Sequence, residues 1–128
     1  MSLPALWYNP LFWQRAWGGN PTAVAALTEL TNQFNAELKA ITTNLAPIVA
    51  SRGGKVFFGD LSALWVSMSE QPTKYGFTIP WIFDPCWKGD SNPLCSNPER
   101  YLMWDTLHAT ERAHYHIAVA MNKLVRGL

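Results

Sequence analysis

Asp105 and His108, three residues apart, form the pair best able to do chemistry in this 128-residue chain. A carboxylate that accepts a hydrogen bond from imidazole Nδ1–H fixes the tautomer and stabilises the imidazolium. Nε2 is then free to act as a general base. The pair stands in the stretch Tyr101–His116, Tyr-Leu-Met-Trp-Asp-Thr-Leu-His-Ala-Thr-Glu-Arg-Ala-His-Tyr-His. Tyr101–Trp104 has the aromatic content and bounded length of a buried strand. Thr110 suits the N-cap of the amphipathic run behind it. The expected order is strand, polar turn, helix, and ligands gather at the carboxyl ends of strands in open α/β sheets.

Other residues invite chemistry and are assigned differently. His114 and His116 join His108 in no strong metal-ligand spacing, so no metal and no cofactor are expected. His116 shares a helical face with Arg112 and Lys123 and reads as solvated. Asp60 lies between an apolar run and a helix, where a carboxylate satisfies free N–H groups as a cap. Trp81, Phe83 and Trp87 fall in a long loop, 79–100, and are candidates to wall a substrate cleft, with Trp81 and Trp87 the substrate-binding choices. Covering the core is the competing role for these rings. Cys86 and Cys95 lack metal or redox spacing and are expected to form a disulfide, which implies an oxidising compartment.

The elements that must position these groups follow from periodicity. Residues 1–21 alternate breakers (Leu3-Pro4, Asn9-Pro10, Gly18-Gly19-Asn20-Pro21) with Trp7, Tyr8, Phe12, Trp13 and Trp17, so an irregular aromatic segment is expected. Leu27, Leu30, Phe34, Leu38, Ile41 and Leu45 recur at three and four residues. They predict a helix over 22–46, capped by Thr22, ended near Pro47 and covering one face of a sheet. Val56-Phe57-Phe58 reads as a short strand and Leu61–Ser69 as a helix. A last helix is predicted over 110–125, with Ala113, Ile117, Ala120, Met121 and Leu124 inward, Lys123 and Arg126 at the dipole end, and Gly127 as the stop.

Tyr-Leu-Met-Trp-Asp-Thr-Leu-His-Ala-Thr resembles the last conserved block of SGNH (GDSL-type) ester hydrolases, nearest to their secreted fungal branch. That block reads aromatic-Trp-Asp-x-x-His-Pro-Thr, and its Asp and His belong to a Ser-His-Asp triad; Asp105 and His108 fall on those positions. Ala109 replaces the usual Pro, which removes a rigid first-turn residue. Val56–Thr78, with Asp60 and Tyr75-Gly76-Phe77, and Asn97-Pro98-Glu99-Arg100-Tyr101 are similar to further stretches of the family. Gln33-Phe34-Asn35 is similar to a helix that carries Asn for packing, and Leu3-Pro4 to a pair after the third block.

The resemblance implies an incomplete three-layer α/β/α, flavodoxin-like domain: the C-terminal half, with few parallel strands, over a single partial domain, 1–128. It implies hydrolysis of carboxylic esters, either small esters or an acetylated polysaccharide. The family's Gly-Asp-Ser and Gly-x-Asn-Asp blocks are not found in place. Gly89-Asp90-Ser91 spells the tripeptide, yet it lies in the cysteine loop with no apolar strand before it. The nucleophile and oxyanion donors are therefore expected from a missing N-terminal half or another chain. The alternative function is a non-catalytic, aromatic-rich carbohydrate-binding or protein-interaction module.

Composition narrows the classes. Ten Lys and Arg against nine Asp and Glu give a formal charge of +1, with no basic face for nucleic acid. No apolar run approaches the roughly 20 residues of a membrane span. Seven Trp supply both core and stacking surfaces. The N-terminus lacks the pattern of a secretory signal. An extracellular location is expected all the same, from the cysteines and the resemblance.

Overall fold

The structure is a computed structural model and describes residues 1–6, 9, 20–78, 84–90 and 92–127. Three α-helices organise the described residues: α1 (Pro21–Ala50), α2 (Leu61–Glu70) and α3 (Glu111–Arg126). Single 3₁₀ turns, Pro72–Tyr75 and Pro98–Arg100, punctuate the loops.

Helix α1 starts one residue before the predicted range and ends four after it. Asn20, not Thr22, is the cap: its side chain accepts from the N–H groups of Thr22 and Ala23. Pro21 then takes the first helical position, where its missing N–H costs nothing and its fixed φ suits the helix. Pro47 lies inside the last turn rather than beyond it. Its own carbonyl still accepts from Ser51 N–H at 3.0 Å, so the helix closes one turn later.

Most of the predicted apolar stripe of α1 does not face the interior. Leu30, Phe34, Ile41 and Leu45 are exposed, as is Ile48, whereas Leu27 and Leu38 are half-buried and Thr31 is buried. α1 turns its Thr31–Asn35 side to the chain. Asn35 grips the Leu3 backbone at both ends, accepting from its N–H at 2.8 Å and donating to its carbonyl at 3.1 Å. This is a packing role of the kind expected for Asn35. Ser2 is buried beside α2, its N–H donating to the Gly59 carbonyl and its hydroxyl accepting from Ser62 N–H.

Asp60 caps α2 as expected, accepting from Ala63 N–H at 3.0 Å. α3 matches its predicted span to within a residue. The Thr110 side chain accepts from Ala113 N–H, and Gly127 ends the helix with a positive φ of 69°. The core gathers Ala5, Trp65, Met68, Phe77, Leu102, Met103 and Ala113, with Ile117 packed against it. α2 and α3 therefore pack through the apolar segments 75–77 and 101–103. Gly59 lies so close to Met121 that a Cβ there would meet its Sδ.

Among the described residues the only β pairing is one antiparallel bridge, Met103 to Ala109. Neither Val56-Phe57-Phe58 nor Tyr101–Trp104 belongs to a ladder. Strands exist only where a neighbour takes their N–H and C=O groups, and Val56-Phe57-Phe58 has no such neighbour among these residues. Among the described residues no helix is long and apolar enough to cross a membrane.

Candidate active site

The Asp105–His108 turn is built by short-range bonds. Thr110 N–H donates to the Leu102 carbonyl at 3.0 Å and Trp104 N–H to the His108 carbonyl at 2.8 Å, so residues 102–110 double back around the bridge. The Thr110 hydroxyl donates to the Tyr101 carbonyl at 2.8 Å. Being 3% exposed, Thr110 ties the loop to the start of α3. Inside the turn, Asp105 Oδ1 accepts from the N–H groups of Leu107 at 2.7 Å and His108 at 2.6 Å. Such a side-chain-capped turn needs an Asp or Asn at its first position.

The other carboxylate oxygen faces the imidazole. His108 Nδ1 stands 2.8 Å from Asp105 Oδ2 and donates its proton there. The His108 side chain is 68% exposed and that of Asp105 18%. Nε2, at the far side of the ring, has no partner among the described residues. Burial pushes the Asp105 carboxyl up. The N–H and imidazole bonds from His108, the Leu107 N–H and the charge on His108 outweigh it, so the net effect holds Asp105 below the usual carboxylate value. The anion needed to orient the imidazole is thus sustained by the turn itself.

Asn9 supports the turn from a distance, and the sequence carried no signal for it. It is buried, and its Nδ2 donates to the Leu107 carbonyl at 3.2 Å. The N-terminal segment thereby touches the turn that holds His108.

The disulfide Cys86–Cys95 is formed, with Cα atoms 5.0 Å apart. Its loop is zipped onto the His108 segment: Cys86 N–H donates to the Met103 carbonyl at 3.1 Å and Trp87 N–H to the Trp104 carbonyl at 2.7 Å. Trp87 is exposed and lines a cavity of about 480 Å³ with Asp90, Asn92, Leu94 and Trp104. Trp104 also borders a cavity of about 780 Å³ walled by Glu99, Thr110, Arg112 and Tyr115. Trp81, Phe83 and Ser91 lie outside the described residues.

The remaining histidines stand apart from His108. His114 is exposed. His116 is not a solvated residue: it is half-buried, and its Nε2 donates to the Tyr75 carbonyl at 2.8 Å, with Tyr75, Phe77 and Tyr115 set edge-on around the ring. Sharing a helical face with Arg112 did not reveal this, because the acceptor comes from a loop 41 residues away.

No protein-family model matches the chain. Similar curated proteins are GDSL esterase/lipases of Arabidopsis thaliana. At2g19060 is 29% identical over 108 residues, 76% of this chain and 29% of that protein. At5g14450 is 27% identical over 112 residues, 74% of this chain and 28% of that protein. At5g45910 is 28% identical over 81 residues, 52% of this chain and 22% of that protein. The chain is thus related to GDSL-type hydrolases and spans roughly a quarter of the length of these relatives.

Proposed function

We propose that the chain is the C-terminal portion of a secreted GDSL-type ester hydrolase, nearest the fungal esterase and acylhydrolase branch, and that it carries the general base and its orienting acid. The observation behind this reading is the 2.8 Å contact from His108 Nδ1 to Asp105 Oδ2, with Nε2 left open. A serine and oxyanion donors come from polypeptide beyond these 128 residues. The rest of a three-layer α/β/α domain would also supply neighbours for Val56-Phe57-Phe58. The disulfide supports an oxidising, extracellular setting.

The chemistry balances with one base. Serine Oγ bonds to the ester carbonyl carbon while its proton passes to His108 Nε2. The tetrahedral adduct then collapses: the carbon–alkoxy bond breaks and His108 returns the proton to the leaving alcohol. Water then attacks the acyl-serine carbon while its proton passes to His108; the second adduct collapses, the carbon–Oγ bond breaks, His108 returns the proton to serine Oγ, and the carboxylic acid leaves. Asp105 holds the imidazolium at each stage and stays ionised.

The test is hydrolysis of 4-nitrophenyl acetate by the purified protein in its native assembly, with serine labelling by a fluorophosphonate. His108→Ala is expected to reduce kcat roughly 10⁶-fold, with the helical signal in circular dichroism unchanged. Undiminished turnover by His108→Ala would remove the assignment.

A further inference from the structure

We propose that Asn9 is a positioning residue for the His108 imidazole: its side-chain amide fixes the peptide plane that leads into His108, and with it the direction in which Nε2 points. This rests on the reading of His108 as the general base. It adds to that site a residue 98 positions before the turn.

Packing does little to aim the His108 ring. The His108 side chain is 68% exposed, and Leu107 beside it is 48% exposed. Neither supplies the buried contact that locks a rotamer. What holds the ring is Asp105 Oδ2 at Nδ1 and the backbone to which the ring is attached. The peptide unit from Leu107 to His108 is planar, so its N–H and C=O sit at opposite edges of one rigid plate. His108 N–H donates to Asp105 Oδ1 at 2.6 Å, and the Leu107 carbonyl accepts from Asn9 Nδ2 at 3.2 Å. The plate is therefore held at both edges. A carbonyl that accepts a hydrogen bond also polarises its own peptide N–H, which strengthens the bond to Asp105. Past His108, the next carbonyl accepts from Trp104 N–H at 2.8 Å.

These bonds differ in reach. Asp105 lies in the same turn, so its bonds shape the turn and move with it. Trp104 belongs to the same doubled-back segment, 102–110. Among the described residues, the Asn9 bond is the one hydrogen bond that ties residues 105–108 to a distant part of the chain. Its far end is anchored. Asn9 is 7% exposed, and its N–H donates to the Leu6 carbonyl at 2.9 Å. Ala5 is fully buried in the core, and Asn35 of α1 grips the Leu3 backbone. The turn is thus referenced to the core through Leu3, Ala5 and Asn9. A buried amide keeps such a partner because an orphaned donor is costly.

The experiment compares the parent with Asn9→Leu, which keeps the branched shape and removes the donor, and with Asn9→Ala as a smaller second variant. One readout is hydrolysis of 4-nitrophenyl acetate by the native assembly. The other is the long-range proton–nitrogen spectrum of the chain labelled with ¹⁵N-histidine, at about pH 8.5, where an ordinary imidazole is neutral and the ring-nitrogen shifts report the tautomer. The chain has three histidines, and His108→Ala identifies the His108 signals. His116, bonded to the Tyr75 carbonyl, reports the fold. The parent is expected to show His108 as the Nδ1–H tautomer. In both variants kcat should fall about 10- to 100-fold with KM unchanged. The His108 shifts should move toward those of a free imidazole while those of His116 stay. Parent-like kcat in both variants overturns the proposal, as do parent-like His108 shifts in both. Movement of the His116 signals in both variants also overturns it, because Asn9 would then hold the fold at large. Absence of turnover in the parent would sink the ester-hydrolase reading instead, and the ring shifts would still decide whether Asn9 aims the imidazole.

Discussion

Asp105 does two jobs with its two oxygens, and substitutions can separate them. Oδ1 accepts the Leu107 and His108 N–H groups, and Oδ2 accepts Nδ1–H of His108. Asp105→Asn keeps an acceptor for the turn but loses the anion that stabilises the imidazolium. Its kcat on 4-nitrophenyl acetate should fall about 10⁴-fold, and its melting temperature should fall only by the share of stability that the ionised carboxylate contributes. Asp105→Ala removes the turn bonds as well and should cost about 1 kcal/mol of stability besides. The pH dependence has a definite sign. Because folding lowers the Asp105 pKa, the ionised group stabilises the fold above the ordinary carboxylate value, and that contribution is lost as pH falls through the lower folded value. The melting-temperature advantage of the parent over Asp105→Asn should hold above about pH 5 and shrink below about pH 4; an advantage flat to pH 3 would contradict this. The contact between Asp105 and His108 was legible because it is local, both residues sitting in one turn that favours Asp or Asn first; the part it plays in chemistry came from the resemblance to the family block, not from the spacing. Asn9 was not legible, since its contact with Leu107 spans 98 positions and nothing periodic marks it.

At the scale of elements, the junction between the turn and α3 has its own test. The Thr110 hydroxyl donates to the Tyr101 carbonyl and accepts from Ala113 N–H, in a site 3% exposed. Thr110→Val keeps the shape and removes both bonds, so chemical denaturation should show a loss of about 1–2 kcal/mol. A loss under a few tenths would mean that water replaces the hydroxyl. Opening the Cys86–Cys95 loop with paired Ser substitutions should cost about 2–3 kcal/mol, by the loop-closure entropy returned to the unfolded chain. α3 could be read from sequence because cap, periodicity and terminal Gly all agreed. At α1 they competed. Thr22 is a good cap by type, but Asn20 followed by Pro21 is better, because Pro belongs at the first helical position. The extended segments were the least legible elements. Val56-Phe57-Phe58 has the residues of a strand, but pairing is a property of two segments, and the second cannot be read from the first.

At the scale of the whole molecule, the outward stripe of α1 is the feature most at odds with a finished surface. From Leu30 to Ile48 it runs about 27 Å at 1.5 Å per residue. Leu30 is 63% exposed and Ile41 55%. The spacing by threes and fours that predicted an inward face is intact; what differs is that the described residues cover Leu27 and Leu38 in part and leave Leu30, Phe34, Ile41 and Leu45 exposed. A long apolar patch of this kind drives association until something does. The remainder of the proposed domain would cover it in the native assembly. The chain on its own is expected to self-associate and to bind a hydrophobic dye. Leu30→Lys with Ile41→Lys should then reduce both dye binding and the mass seen by light scattering. Folding stability of the dispersed chain should stay within about 0.5 kcal/mol, since exposed positions carry little of it. Loss of helical signal in the double variant would show instead that the stripe is packed within the single chain.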